Sequence, residues 1–262
     1  MRIVIDGETN VVSLEEAVVR KEIGLDDFLN AYSANQPMSI PFLPGNCVGM
    51  FSATGKTCFI IKRDPGIHTL QYESGGKWDL RLMFPYTYYA ITVTNAPITL
   101  VPSSCFMFFS NKPVSDLKSV VGYMEMPNVS RQNNIGIICT GSIEIDDGMQ
   151  YHHAINDIVA KLIGNVHNDD IFESDFSPYI QEAMKECTNA KLKNVKKDDP
   201  LYDLAQECIR RNTTKFRYLY TWAHLSQTMK LNEFMDKVTF HSTTTYADAV
   251  KEVSREIGVN SW

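Results

Sequence analysis

At 262 residues and 44% hydrophobic, the chain has enough apolar material for one large domain or one domain with an appendage, and the second is expected. Its net charge of −6, from 31 acidic against 25 basic residues with no long basic block, gives no nucleic-acid signal and leaves a protein or small molecule as the default partner. No run approaches the ~20 apolar residues of a membrane span, and Met1-Arg2-Ile3-Val4-Ile5-Asp6 turns polar too soon for a signal peptide. Cys47, Cys58, Cys105, Cys139, Cys187 and Cys208 are scattered, with no Cys-x-x-Cys pair and no His-x-x-x-His spacing. Neither a zinc site nor a disulfide framework is signalled, and reduced thiols in a cytoplasmic setting are expected, with no metal and no cofactor.

In chain order, Arg2 to Asp6 reads as a strand. Ser13 with Glu16 three residues on forms a capping box that opens a helix ended by Gly24. Leu25 to Tyr32 extends as a further helical piece until Pro37 and Pro41 break the pattern, and Pro37 to Gly45 leads into the main sheet. Strand-like segments then follow at short spacing: Cys47–Phe51, Thr57–Arg63, Ile67–Tyr72, Leu80–Phe84, Tyr88–Thr94 and Cys105–Ser110, as in an antiparallel meander. The dense aromatics at Phe84, Tyr86, Tyr88, Tyr89, Phe106, Phe108 and Phe109 read as core rather than as a ligand box. Ser52-Ala53-Thr54-Gly55-Lys56-Thr57 approaches a phosphate loop but lacks its first glycine and precedes a strand, so a hairpin turn is expected.

Past Asp116 to Tyr123, the polar run Ser130 to Asn134 reads as a loop in front of Cys139, and Asp146-Asp147-Gly148 as a turn. Tyr151, Ile155, Ile158, Val159 and Leu162 mark a helix stopped by Gly164. His152, His153, His167 and Asp169 have the wrong spacing for a standard metal site and read as surface or edge residues. Ser177 caps a helix beginning at Pro178, with Phe172 and Phe176 anchoring the turn. Lys191 to Asp199 is a charged linker. Three amphipathic helices complete the chain, carrying Leu201 to Ile209, Phe216 to Ala223, and Tyr246 to Ile257 capped by Thr245 and ended by Gly258.

One stretch carries chemistry. Met126-Pro127-Asn128-Val129 is followed, eleven residues after the Asn, by Cys139 in Gly136-Ile137-Ile138-Cys139-Thr140-Gly141. A Pro-Asn pair near a loop end and a Cys beside an apolar segment suggest an acyl-accepting nucleophile, Cys139, with Asn128 as oxyanion donor. This run resembles the active-site signature of ubiquitin-conjugating enzymes, His-Pro-Asn-Ile/Val, a short loop, then Gly-x-Ile-Cys. It is more similar still to the bacterial branch of that superfamily, closest to the PRTRC system protein B family. Asn168 to Ser177 resembles that family's Phe-x-x-Ser-x-Phe-Thr/Ser segment at the expected distance downstream. Met126 stands where the eukaryotic enzymes have His, and the Asn-to-Cys gap is longer by a few residues.

The resemblance implies an α+β fold, a conjugating-enzyme-like (UBC-like) antiparallel β-meander flanked by helices. It covers about Pro41 to Ser177, giving an N-terminal strand/helix extension at 1–40, the UBC-like domain at 41–185 and a C-terminal helical appendage at 186–262. It further implies that Cys139 carries a ubiquitin-like protein as a thioester, received from an activating enzyme, for transfer to an amine. Glu144, Asp146 and Asp147 are placed to orient that amine. The alternative is the same fold without chemistry, a binding or scaffold module of a phage, plasmid or bacterial system.

Overall fold

The computed structural model of the protein describes residues 2–6, 11–15, 20–24, 45–53, 55–95, 98–141, 143–146, 151–164, 166–168 and 174–258. They fall into two compact units, 1–42 and 43–262.

In the first unit, Arg2–Asp6 (β1), Val11–Glu15 (β2) and Arg20–Gly24 (β3) form an antiparallel sheet in that order. The helix expected from Ser13 to Gly24 is therefore corrected to strands: Ser13 pairs with both Val4 and Glu22. A helix cap contributes only ~1 kcal/mol. Here the strands carry β-branched Val11, Val12 and Ile23, and β2 pairs along its length with both neighbours. The helical piece expected at 25–32 and the sheet entrance at 37–44 lie outside the described residues.

The second unit is built on Cys47–Ala53 (β4), Lys56–Arg63 (β5), Gly66–Glu73 (β6), Lys77–Phe84 (β7), Tyr86–Thr94 (β8) and Phe106–Ser110 (β9). All six expected strands are present, and the stretch resembling a phosphate loop is the β4–β5 hairpin, Ala53 facing Lys56. Their order is not a simple meander. β5 pairs with β8 and β6 with β7 in one unbroken register: Arg63 faces Thr87, and Gly66 faces Phe84. Pro65 and Pro85 therefore lie opposite each other. Neither carries a backbone N–H for the ladder, so one long ribbon turns a corner there and its outer half becomes a separate two-stranded sheet.

Val120–Tyr123 (β10), Val129–Gln132 (β11), Ile135–Ile138 (β12) and Ser242–Thr245 (β13) complete the main sheet, whose order is β4-β5-β8-β9-β12-β11. β10 shares the outer edge of β9 and pairs along its length with β13. The polar run at 130–134, expected as a loop, is instead three residues of β11 and the turn of the β11–β12 hairpin.

Seven α-helices stand among the described residues: Tyr151–Gly164 (α1), Pro178–Met184 (α2), Asn189–Lys193 (α3), Tyr202–Arg211 (α4), Thr214–Thr228 (α5), Leu231–Lys237 (α6) and Tyr246–Glu256 (α7). The period of two splits the sheet into two buried faces. Phe59, Ile61, Tyr89, Ile91, Met107 and Phe109 face a core closed by α1 and the helices from α2 to α6. Cys58, Ile60, Tyr88, Ala90, Phe106 and Phe108 face a second core closed by Tyr246, Ala249, Val250 and Val253 of α7. The aromatic run is thus core, with Tyr88 stacked on Phe108 at 5.3 Å between ring centres.

The segment 186–262, set apart as an appendage on sequence, does not separate: Leu192, Leu204, Phe216, Trp222 and Phe234 share the first core with the sheet. α5 also grips the outer ribbon. Trp222 Nε1–H donates to the Met83 carbonyl (2.8 Å), and the Met83 N–H donates to Ser226 Oγ (2.7 Å). Lys191–Asp199 is part helix α3 and part turn rather than a linker. Thr245 caps α7 as expected, accepting the Asp248 N–H (3.1 Å). α2 begins at Pro178 as expected, but the Ser177 hydroxyl donates to the Thr239 carbonyl (2.6 Å) instead of capping.

Candidate functional site

Met126 to Val129 makes a tight turn closed by the Val129 N–H on the Met126 carbonyl (3.3 Å). Pro127 presets φ at the second position, and Asn128 takes the left-handed conformation at the third, φ 61°, which Asn tolerates better than most side chains. Met126 packs in the core at 6% exposure, so the position before Pro127 is filled by apolar contact.

From this turn β11 leaves and β12 returns, with Val129 facing Ile138. The next pair outward is Asn128 with Cys139, joined by the Cys139 N–H donating to the Asn128 carbonyl (2.8 Å). The long gap between the two residues thus costs no proximity, because what fills it is a hairpin that returns to its start. Its tip at Asn133 (φ 51°) is tied to α7, where Gln132 Nε2 donates to Glu256 (2.7 Å) and Asn133 Nδ2 to Glu252. Bare Gly136 lets Val129 and Tyr123 close over the hairpin; a Cβ there would collide with Val129 and crowd the Tyr123 ring.

The Asn128 carboxamide is held from outside. Its Nδ2 donates to the Val166 carbonyl (3.1 Å) and its Oδ1 accepts the Asn168 N–H (2.9 Å). On its other side the same short segment pairs with β6, the His167 N–H reaching Gln71 O and the Glu73 N–H reaching His167 O, both at 2.7 Å. The amide therefore imitates one peptide unit of a neighbouring strand. An NH2 group carries two hydrogens, and only one is spent on Val166.

Among the six cysteines Cys139 is the exposed one; Cys47 is partly covered and the other four are buried. Burial pushes the Cys105 and Cys208 thiols up to about 12 and raises Cys58 further. Cys139 lines a cavity of about 20 Å³, which is room for one water. Asn128, Met126, Arg63, His68, Tyr89 and His167 are among its lining residues. Arg63 Nη2 meets His68 Nδ1 at 2.6 Å, and burial together with the guanidinium lowers the imidazole to about 4. No spacing rule pointed to Arg63 or His68: they lie on either side of the Pro65 corner, and only the bend brings them together.

Glu144 and Asp146 are exposed on the stretch after Cys139, whereas Asp147 lies outside the described residues. His153 is exposed and His167 is 4% exposed; the His152 side chain, Asp169 and Phe172 are outside the described set. Phe176 stacks on Tyr218 at 4.4 Å as the expected core anchor. Behind the site, buried Glu125 accepts the Asp175 N–H (3.0 Å), and Asp175 pairs with Arg131 (3.2 Å) and His241 (3.3 Å), tying β11 to the segment before α2. Among the described residues no group of three or more His, Cys, Asp or Glu is arranged to hold a metal, and no helix is long and apolar enough to cross a membrane. Comparison of the chain with family models, with curated proteins and with solved structures finds no match.

Proposed function

We propose that the protein is a ubiquitin-conjugating-enzyme-like carrier that holds a ubiquitin-like protein as a thioester on Cys139 and passes it to an amine. One observation carries the reading: the exposed thiol of the chain stands beside Asn128 at the mouth of a cavity, although ten residues separate the two in sequence. In the first step the Cys139 thiolate attacks the carbonyl carbon of the activating enzyme's thioester. A new C–S bond forms, the old one breaks and the departing thiolate takes a proton. In the second step an amine forms a C–N bond, loses a proton and expels Cys139.

Because the donor is already a thioester, the exchange requires only a modest thiolate fraction and no adjacent base. Asn128 suits an oxyanion donor because both of its bonds to 166 and 168 fix the amide before reaction and leave one N–H uncommitted. The test is incubation with an activating enzyme, ATP and a ubiquitin-like partner. A reductant-sensitive adduct that disappears in Cys139→Ala is the expected result; partner binding without an adduct selects the second reading, a module of the same fold without chemistry. Met126, packed where the similar enzymes have His, favours that second reading.

A further inference from the structure

We propose that Arg63 and His68 build a niche for the acyl oxygen, so that a carbonyl or oxyanion attached to Cys139 occupies the one-water cavity and accepts a hydrogen bond from His68 Nε2. The proposal rests on the thioester reading above and names where its oxygen goes.

The argument starts from proton inventory. A guanidinium has only donors, so the short bond between Arg63 Nη2 and His68 Nδ1 makes Nδ1 an acceptor. A neutral imidazole then carries its proton on Nε2. Burial and the adjacent positive charge, which lower the imidazole to about 4, keep it neutral at ordinary pH. His68 Nε2 is therefore an N–H donor. It is buried and has no hydrogen-bond partner among the described residues. A buried donor without an acceptor costs ~1–3 kcal/mol, and an acceptor oxygen relieves that cost.

Size and charge narrow the occupant. The enclosed space is about that of one water, which suits a single oxygen atom. Arg63 is half-buried, bonded to His68 and to the Tyr89 hydroxyl, and pairs with no carboxylate among the described residues. An uncompensated guanidinium favours an oxygen bearing partial or full negative charge. Geometry supplies the source: an acyl group on sulfur carries its oxygen on the very next atom, and Cys139 lines the same cavity. Asn128 at the start of β11 and His68 on the ribbon both line this cavity. Gly66 leaves the His68 ring uncrowded; a side chain there would begin 3.5 Å from Nε2.

The test uses the full chain and a small probe, the mercaptoethanesulfonate thioester of glycylglycine, with acylation of Cys139 followed by intact mass. Iodoacetamide alkylation of the same thiol, which develops no oxyanion, is the control. His68→Phe keeps the ring and removes the donor; His68→Gln keeps an N–H near the Nε2 position. Loss of one such donor is expected to slow acylation on the order of 100-fold while alkylation stays within about twofold, with His68→Gln recovering most of the rate. Long-range 1H–15N spectra of wild type should show the Nε2-protonated neutral ring, and Arg63→Met should abolish that preference. Equal acylation rates in wild type and His68→Phe, or acylation and alkylation falling together, overturn the niche and leave the carrier function standing. A wild-type Cys139 that takes no acyl group from this probe or from an activating enzyme overturns both.

Discussion

Asn128 and Cys139 form the first pair beyond the β11–β12 ladder, joined through the backbone at 2.8 Å, so the hairpin sets their separation whatever the number of residues between them. Residues in the strands matter through register and those at the tip through conformation. Asn133 holds φ 51° and bonds Glu252. Asn133→Ala should therefore destabilise by about 1–2 kcal/mol from left-handed strain, and Asn133→Gly by less, read from urea unfolding midpoints. Equal midpoints for the two variants would show that the tip conformation is not under strain.

The thiols should react in a fixed order. At pH 8 a thiol near 12 is ionised in roughly one molecule in ten thousand, and Cys105 and Cys208 are sealed as well. Native alkylation followed by peptide mass mapping should label Cys139 first, Cys47 later, and Cys58, Cys105 and Cys208 only on unfolding. Early labelling of Cys105 would contradict the packing of the first core.

Asn128 should behave as a clamp on the 166–168 segment. Asn128→Asp replaces the Nδ2 donor with a second acceptor facing the Val166 carbonyl, and should destabilise by about 1–3 kcal/mol. Amide exchange of His167 and Asn168 should quicken in this variant. Unchanged protection at both would show that β6 alone holds the segment.

A pH signature is expected from α4. Glu207 is held down to about 2 by hydrogen bonds from Arg210 and Arg211. A carboxyl whose folded value lies below its unfolded value stabilises the fold above the unfolded value, and that stability is lost as pH falls from about 4.5 toward 2. Arg211 also donates to the Ser74 carbonyl (2.6 Å) and lies over the Phe216 ring, so the loss should be felt at the ribbon tip. Glu207→Gln should flatten the acid limb of the thermal-stability profile; an identical limb in both proteins would assign it to other carboxyls.

The strands from Cys47 to Ser110 were legible because alternation and turn residues are local signals, and so was α7, with its cap at Thr245 and its stripe ending at Ile257. What stayed hidden was non-local. Ser13 and Glu16 spell a helix start that is overruled only when β1 and β3 are present to pair. Arg131, Gln132 and Asn133 look like loop because the groups that receive them, Asp175, Glu256 and Glu252, lie 44 to 124 residues away. Cys139 and Asn128 were singled out by their motif, whereas Arg63 and His68 belong to no motif.

The opposed prolines have one more consequence. Arg63 stands before the corner and His68 after it, so the dihedral attitude of the outer ribbon decides whether Nδ1 receives the guanidinium proton or is released from it. That attitude is anchored at the far end by Arg211 on Ser74, 137 residues on. The tautomer of a single ring is in this way a gauge of how the arm is mounted, legible by nitrogen chemical shift whenever the mounting is altered at a distance.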